Sequence, residues 1–305
     1  MKQEIQTILA VGSIAIDTLE TPSGNKNNIL GGSASYFSLA ASLLASVKLV
    51  GVVGTDFPDV GWSLFKSHNI NIDNVQILKG KTFRWGGRYN NDYSRRDTLF
   101  TELGVFESFD PLIQKADCAS PLVFLGNIHP DLQLGVLRLC KSTKYIVSDT
   151  MNLWIDNCYN GLKEVLKNSQ IFILNHEEAQ QLTGTNNLPE AAMMLRSDGP
   201  NIVIIKRGAM GAYLSYGNVE HYVPAFPVEQ VIDPTGAGDS FAGGFMGCLS
   251  RFNSQDFLKA TIFGAAMASF CVESFGVDSL VRVNMSALEE RVSIIRKIMR
   301  DSENN

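Results

Sequence analysis

The 305-residue chain lacks an excess of basic residues, with 26 Lys and Arg against 31 Asp and Glu and a net charge of -5. A protein that binds nucleic acid usually carries a basic surface, so nucleic acid is not an expected partner. Long apolar runs are also missing, because the longest, residues 39–53, contains Lys48 and is shorter than a membrane span. Polar residues interrupt the N-terminal apolar segment, which is unlike a signal peptide. We therefore expect a cytoplasmic protein without a membrane partner.

Cysteine and histidine are scarce, and their spacing excludes several kinds of site. The five cysteines are odd in number and include no C-x-x-C pair, and the four histidines are scattered. This usage indicates reduced cysteines that serve as small apolar residues, and it disfavours a zinc site. Three nucleotide-binding or catalytic motifs are also incomplete: Phe241 replaces the third glycine of a G-x-G-x-x-G fingerprint, Val75 replaces the first glycine of a P-loop, and His176-Glu177 lacks the second histidine of a metalloprotease helix.

Short apolar runs that alternate with helical patterns dominate what is present. The predicted strands are Ile8–Gly12, Val47–Gly54, Leu122–Gly126, Tyr145–Asp149, Ile171–Asn175 and Asn201–Lys206. Their apolar residues are continuous, as expected for strands that are covered on both faces of a sheet. Helical patterns lie between them at residues 33–46, 131–140, 161–167 and 189–196, and most of residues 240–300 is helical in character. The alternation predicts a three-layer αβα fold with a mostly parallel central sheet, formed by residues 1–305 as one domain.

Two segments depart from this alternation and predict a small separate sheet. Asp17 to Leu30 is polar and rich in turn residues, and Thr82 to Glu102 alternates in the manner of a hairpin. We expect the regions around residues 13–30 and 82–103 to form a β lid. Two unrelated surface hairpins are the alternative.

The strongest local motif is a glycine-rich turn before an apolar helix, Asp233-Pro-Thr-Gly-Ala-Gly-Asp-Ser-Phe-Ala-Gly-Gly. Its proline and glycines predict that regular helix begins only near Ser240. Small residues at a helix N-terminus leave backbone N–H groups open to an anion, and the helix dipole adds positive charge there. Asp239 beside such donors could accept a proton while the donors hold developing negative charge, which are the two needs of phosphoryl transfer to an alcohol. An ordinary capping aspartate is the alternative.

Three motifs in this order resemble the PfkB/ribokinase family of carbohydrate and nucleoside kinases. The turn at Asp233–Gly244 is similar to the C-terminal signature of that family. Gly31-Gly32-Ser-Ala, followed by a helix and Val50-Gly-Val-Val-Gly-Thr-Asp, is similar to the first signature, and Asn175-His-Glu-Glu178 is similar to the N-x-x-E motif. Together they span more than two thirds of the chain.

The resemblance implies a fold, an activity and residue roles. It implies an ATP-dependent kinase for a small sugar or nucleoside, with a ribokinase-like αβα fold and a β lid over the acceptor. It implies further that Asp239 is the catalytic base beside an anion hole at Gly236, Ala237 and Gly238, and that Asn175 and Glu178 organise Mg²⁺ and phosphate through water. Acceptor hydroxyls would contact Asp17, Gly31 and Gly32, and Asp233 and Thr235 match the positions near a K⁺-type monovalent-cation site in some members.

Simpler interpretations exist for these positions. Asp17 could end the first strand, Gly31-Gly32 could be a plain turn, and Asn175 with Glu178 could be a helix cap and a solvated charge. Lys206, in the segment with Gly208 and Gly211, is a candidate contact for the nucleotide phosphates or an ordinary surface lysine.

The chain departs from the family at Tyr36, where ribokinases carry an asparagine. A phenol offers fewer hydrogen bonds to sugar hydroxyls than a carboxamide, so we expect poor activity on free ribose. The lid segment adds aromatic residues at 83, 85 and 89, which would suit a nucleoside or another ring acceptor, and several arginines, which would suit a phosphorylated one. Alternatively, Tyr36 points into the core, and the lid arginines form a solvated outer face.

Two further expectations concern the protein as a whole. A catalytically silent ligand-binding or regulatory protein on the same fold is the alternative function, although Asp239 and the glycine turn are both present. An aromatic lid would also favour pairing of two copies through their lids. We therefore predict a homodimer.

Overall fold

The computed structural model describes residues 5–303. Within that range the strands are β1 (Thr7–Val11), β2 (Ala15–Thr21), β3 (Gly24–Gly31), β4 (Ser46–Gly54), β5 (Asn71–Leu78), β6 (Phe83–Tyr89), β7 (Arg96–Glu102), β8 (Leu122–Leu125), β9 (Tyr145–Ser148), β10 (Ile171–Asn175), β11 (Ile202–Lys206), β12 (Ala212–Tyr216) and β13 (Val219–Val223). The helices are α1 (Ser33–Ser42), α2 (Asp59–Ser67), α3 (Pro130–Leu139), α4 (Asn152–Asn157), α5 (Tyr159–Asn168), α6 (His176–Thr183), α7 (Leu188–Ser197), α8 (Ala237–Phe252), α9 (Phe257–Cys271) and α10 (Met285–Glu303).

Nine strands form the central sheet in the order β13-β12-β11-β10-β9-β8-β1-β4-β5. The seven strands from β11 to β5 pair in parallel, and β12 and β13 extend one edge as antiparallel strands. Because these seven strands are parallel, their carboxyl ends share one edge of the sheet, which is where open α/β sheets bind ligands.

Helices cover both faces of this sheet, which explains the unbroken apolar strands. Along β10, Ile171 and Ile173 join the core beneath α1, α8, α9 and α10, whereas Phe172 and Leu174 join the core beneath α5, α6 and α7. Successive side chains of a strand point to opposite faces, so both sets must be apolar when both faces are covered. The predicted three-layer α/β fold is confirmed.

A separate four-stranded sheet, in the order β3-β2-β6-β7, forms the lid. The first hairpin pairs β2 with β3 and the second pairs β6 with β7, while β2 and β6 join the hairpins in parallel. The lid contacts the loop before α8: the Thr21 hydroxyl donates to the Ile232 carbonyl at 2.9 Å, and the Tyr89 and Thr235 hydroxyls lie 3.0 Å apart. The two segments predicted from sequence therefore form one sheet rather than two unrelated hairpins.

The start of α8 differs from the sequence prediction. The helix begins at Ala237 rather than near Ser240, and Gly238 and Asp239 occupy its first turn. Gly236 is the N-cap residue and adopts the left-handed conformation, with a φ of 75°. A single left-handed glycine is enough to turn the chain into the helix. Three strands of the central sheet, β5, β12 and β13, were not predicted. Two of them, β5 and β13, lie at the edges of the sheet and have partly exposed residues, so they lack a continuous apolar run.

Candidate active site

Three polar side chains come together at the carboxyl edge of the central sheet. Asn175 and Lys206 end β10 and β11 in register with each other, and Asp149 directly follows β9. The Lys206 ammonium lies 3.8 Å from the Asp149 carboxylate, and both side chains are largely buried. The sheet therefore presents a positive and a negative group side by side where its parallel strands end.

Asn175 and Glu178 form a reciprocal cap at the start of α6. The Asn175 side chain accepts from the Glu178 N–H, and the Glu178 carboxylate accepts from the Asn175 N–H, each at 2.8 Å. The capping interpretation of this motif is thus right, but Glu178 is not a solvated charge, because it is 5% exposed. Burial and the charge of Asp149 raise the pKa of Glu178 to about 7. Only one carboxylate oxygen makes the cap, so the other remains available to a ligand.

The first turn of α8 brings Gly238 and Asp239 to the same place. The Ser240 N–H makes the first intrahelical bond, to the Gly236 carbonyl at 2.8 Å, so the N–H groups of Gly238 and Asp239 precede it. The Ala237 N–H donates to the Pro234 carbonyl instead, at 3.2 Å. Among the described residues, the Ala237 N–H is thus engaged within the turn, whereas the N–H groups of Gly236, Gly238 and Asp239 make no bond to a backbone carbonyl.

Lys206 lies directly against this turn. A Cβ placed on Gly238 would be 2.8 Å from the Lys206 ammonium nitrogen, so glycine at this position admits the lysine. Burial disfavours the ammonium, but the charges of Asp149, Glu178 and Asp239 outweigh that effect and raise the pKa of Lys206. The lysine is therefore not an ordinary surface residue, because it places a positive charge beside the open N–H groups.

The Asp239 carboxyl has the properties of a group that can change protonation state. Burial and the charge of Asp149 raise its pKa well above the usual range, and the charge of Lys206 opposes the rise. A base is most effective when its pKa lies near the working pH. The surroundings of Asp239 move its pKa in that direction.

Asp17 faces this site from β2 of the lid, opposite the end of β3. Its carboxylate is 2% exposed, and one oxygen has no hydrogen-bond partner in the part of the chain that the structure describes. Burial and the charge of Asp233 raise the pKa of Asp17 to about 8. A buried polar oxygen without a partner is costly, so this atom is a candidate ligand contact. The simpler interpretation, that Asp17 only ends a strand, does not explain its burial.

Gly31, the last residue of β3, and Gly32, which follows it, serve two different purposes. A Cβ on Gly31 would lie 1.9 Å from the Asp17 carboxylate, so the absence of a side chain there makes room for that group. Gly32 is the N-cap of α1 with a φ of 92°, and a Cβ would lie 2.4 Å from the Ser13 carbonyl oxygen. The pair therefore does more than form a plain turn.

Tyr36 lies beneath the glycine turn that starts α8. It is 1% exposed, and a Cβ on Gly236 would lie 2.2 Å from its ring. The ring packs beneath the glycine turn, as the alternative of a core position requires. Its hydroxyl is buried without a hydrogen-bond partner among the described residues, and burial and the nearby charges of Asp233 and Asp17 raise its pKa. A contact between this hydroxyl and an acceptor stays a prediction.

Asp233 and Thr235 hold the same turn from the other side. One Asp233 oxygen accepts from the Thr235 N–H at 2.9 Å, and the other accepts from the Gly276 N–H at 3.0 Å. Both residues are buried. These bonds explain the two residues by the shape of the turn, and they give no separate support to a monovalent-cation site.

Gly208 and Gly211 flank a short 3₁₀ turn after β11. Gly208 is exposed with a φ of 56° and has open space around its Cα. A Cβ on Gly211 would instead lie 2.0 Å from the Val223 carbonyl oxygen, and its φ is 83°. Gly211 therefore serves the packing of the turn, whereas Gly208 is exposed. A nucleotide contact at either glycine stays a prediction.

The structure adds Asp149 to the residues singled out from sequence. It was the last residue of a predicted strand but belonged to no motif, and the pairing with Lys206 indicates its role. Within residues 5–303, no group of three or more His, Cys, Asp and Glu side chains is arranged to hold a metal ion directly. In the same range, no helix is long and apolar enough to cross a lipid bilayer.

Comparisons with known proteins agree with this geometry. The model of the pfkB family of carbohydrate kinases matches residues 6–283. The cytidine kinase of Thermococcus kodakarensis is 33% identical over 250 residues, which cover 80% of this chain and 88% of that protein. Among solved structures, the nucleoside kinase of Methanocaldococcus jannaschii superposes with a TM-score of 0.78 at 20% identity, covering 95% of this chain and 99% of that one.

A third comparison is a ribokinase of Arabidopsis thaliana complexed with ribose and ATP, with a TM-score of 0.77, 18% identity and coverage of 94% and 99%. The fold is that of the ribokinase-like kinases, with a β lid beside the central sheet. The chain belongs to the pfkB family of carbohydrate kinases, as its motifs indicate.

Proposed function

We propose that this protein is an ATP-dependent nucleoside kinase that phosphorylates the hydroxymethyl group of its acceptor. One observation carries the proposal: Asp239, the open N–H groups of α8 and Lys206 converge on a point that Asp17 faces from the lid. A phosphoryl acceptor needs a base at its hydroxyl, and the phosphate needs donors and positive charge. The convergence supplies both within one space.

Asp239 accepts the proton of the acceptor hydroxyl as that oxygen forms its bond to the γ-phosphorus of ATP. The bond between that phosphorus and the β,γ-bridging oxygen breaks, and ADP leaves. The N–H groups of Gly238 and Asp239 and the Lys206 ammonium stabilise the charge on the phosphate oxygens. The lid excludes water, which would otherwise compete as acceptor.

The residues at the sheet edge fit magnesium-bound ATP. The Glu178 side chain is buried and uses one carboxylate oxygen for the helix cap, and the absence of a side chain at Gly238 admits the Lys206 ammonium beside the first turn of α8. When bound, Mg²⁺ neutralises part of the phosphate charge. Asn175 and Glu178 would hold it through water, since no direct cluster of ligands is formed. Asp149 positions Lys206 toward the same phosphates.

The acceptor class is supported by a relative and by the lid. The 33% identical protein of T. kodakarensis is named a cytidine kinase, and the structure from M. jannaschii is named a nucleoside kinase. In the lid, Trp85 and Tyr89 are half-buried, whereas Phe83 stacks on Phe106 at 5.2 Å. Trp85 and Tyr89 are thus the aromatic residues that can contact a base, and Asp17 is the group for the ribose hydroxyls.

The test is a coupled ADP-release assay over cytidine, other nucleosides, ribose, hexoses and cyclitols. We expect the highest kcat/KM on a nucleoside and poor activity on ribose. A highest value on ribose would contradict the acceptor class. No turnover on any acceptor, with intact ATP binding, would favour the silent binding protein. Comparing K⁺ with Na⁺ in the same assay tests the monovalent cation.

The lid homodimer remains a prediction. All seven residues of β7 are exposed, and this strand ends the lid sheet, so its outer edge is open to a second strand. Light scattering at tens of micromolar should give the mass of two chains, and a mass of one chain would reject it.

A further inference from the structure

The lid carries four arginines, at positions 84, 88, 95 and 96, and three of them are neutralised locally. Arg84 pairs with Asp56 at 3.4 Å, Arg88 with Glu20 and Arg95 with Asp97 at 2.9 Å. Arg96 makes no ion pair with a carboxylate in the part of the chain that the structure describes. Its neighbour in space is an aromatic ring, because the guanidinium lies over Trp85 at 4.9 Å from the ring centre.

Strand register places Arg96 on the inner face of the lid. Arg96 is directly opposite Tyr89 in the antiparallel pair β6–β7, and Trp85 is four residues before Tyr89 on β6. Trp85 is in turn in register with Asp17 on β2. Directly opposed residues and residues two or four apart share one face of a sheet. Asp17, Trp85, Tyr89 and Arg96 therefore all project from the face that carries the site.

The alternation of side chains along the strands places the other three arginines on the outer face of the lid. Arg84 and Arg88 alternate with Trp85 along β6, and Arg88 is in register with Asp97, which pairs with Arg95. The alternative of a solvated outer face thus describes Arg88 and Arg95, whereas Arg84 is half-buried against Asp56. Of the four arginines, Arg96 projects from the inner face.

The contacts of the inner face show where Arg96 acts. The Tyr89 hydroxyl lies 3.0 Å from the Thr235 hydroxyl. Thr235 directly precedes Gly236, the N-cap residue of α8. The positive charge of Arg96 also counteracts part of the burial-induced rise in the pKa of Asp17 on the acceptor side and of Glu178 on the nucleotide side. Register and ring contact place Arg96 beside Tyr89 and Trp85, on the lid face that carries Asp17.

We propose that Arg96 is a catalytic residue of the lid that binds the phosphoryl group while it passes from ATP to the acceptor. This inference rests on the proposed kinase function. The planar guanidinium donates to two oxygens of the moving phosphoryl group, and stacking on Trp85 fixes its plane. An arginine that meets phosphate charge mainly in the transition state raises kcat more than ground-state affinity.

The decisive variant is Arg96→Met, which keeps an apolar stem over Trp85, and its matched control is Arg95→Met on the opposite face. We expect Arg96→Met to lower kcat at least about 100-fold, with KM for ATP and nucleoside changed less than about threefold. Arg95→Met should behave as the parent. A kcat within threefold of the parent would overturn the proposal, and so would a raised acceptor KM at unchanged kcat, because Arg96 would then only bind the acceptor.

A binding measurement separates this inference from the proposed function. Magnesium ADP with aluminium fluoride mimics the transferring phosphoryl group and needs no acceptor turnover. Titration calorimetry should show that Arg96→Met loses at least about tenfold in affinity for this complex and retains the affinity for ADP alone, whereas Arg96→Lys loses less. Equal loss for both ligands, or loss for neither, would overturn the role of Arg96 even if a nucleoside is phosphorylated. An unchanged melting temperature verifies that the variants are folded.

Discussion

The edge of the central sheet and the inner face of the lid hold their charged groups in opposite ways. At the sheet edge, Asp149 and Lys206 compensate each other within one rigid layer. On the lid, Asp17 is buried with one unpartnered oxygen, and Arg96 lies over Trp85 and beside the Tyr89 hydroxyl without an ion pair to a carboxylate of the described residues. The charged groups at the sheet edge are thus paired before a ligand binds. On the lid, Asp17 and Arg96 would gain further polar partners from the ligand. This difference predicts that changes at the sheet edge alter the chemical step and changes on the lid alter acceptor binding, with Arg96 as the proposed exception.

The largest effect is expected at the sheet edge, from Asp239→Asn. The change keeps the shape and removes the base, so kcat should fall at least about 100-fold while ATP affinity is retained. Asp131→Asn is a matched control, because Asp131 also lies in the first turn of a helix but is exposed. Steady-state kinetics with the best nucleoside would measure kcat for the parent and for both variants. Turnover within a few-fold of the parent would remove Asp239 from the role of base.

A smaller loss is expected on the lid, from Gly31→Ala. The added methyl group would meet the Asp17 carboxylate at 1.9 Å and force it to move. We expect acceptor KM to rise about tenfold or more, with kcat less affected. Gly135→Ala is the control, because a Cβ there meets nothing within 4 Å. A fall in kcat at constant acceptor KM would mean that Asp17 does not bind the acceptor.

Charge changes at the sheet edge should move the pH profile in opposite directions. The Asp149 charge raises the pKa of Asp239 and the Lys206 charge lowers it. If Asp239 must be deprotonated, kcat/KM for magnesium ATP rises as pH passes its pKa. The acid limb should therefore move to lower pH in Asp149→Asn and to higher pH in Lys206→Met, by about one unit each. Shifts in the same direction would contradict the arrangement.

The smallest effect concerns the stability of the protein without ligands. The pKa of Asp17 is about 8 in the fold against 3.8 for the ordinary group, so the folded state favours the protonated form. The cost of ionising Asp17 is absent below about pH 4, grows between pH 4 and 8 and is complete above that range. Asp17→Asn should therefore raise the melting temperature by at least about 2 °C at pH 8.5 and leave it nearly unchanged at pH 4. An equal shift at both pH values would show that ionisation is not the cause.

The sequence predicted the sheet edge better than the lid, for physical reasons. The motif glycines at 31, 32, 236 and 238 each permit a close approach or a positive φ that the structure contains, and such needs leave a local signature. Asp149 belongs to no local motif, because its role depends on the ion pair with Lys206, which is far from it in the sequence. The position of Arg96 depends on the register of two hairpins, which composition does not reveal. The surroundings of Tyr36 could not be predicted either, because its position beneath Gly236 depends on how α1 packs against the turn before α8.

The most direct test of the division between lid and sheet edge uses the 5′-deoxy form of the best nucleoside, which lacks the reacting hydroxyl. Titration calorimetry would measure its affinity for the parent, for Asp17→Asn and for Asp239→Asn. We expect Asp17→Asn to weaken binding at least about tenfold, because it changes the contact to the ribose hydroxyls, and Asp239→Asn to leave binding unchanged. Weaker binding by Asp239→Asn with normal binding by Asp17→Asn would contradict the assignment of acceptor binding to the lid and of proton acceptance to α8.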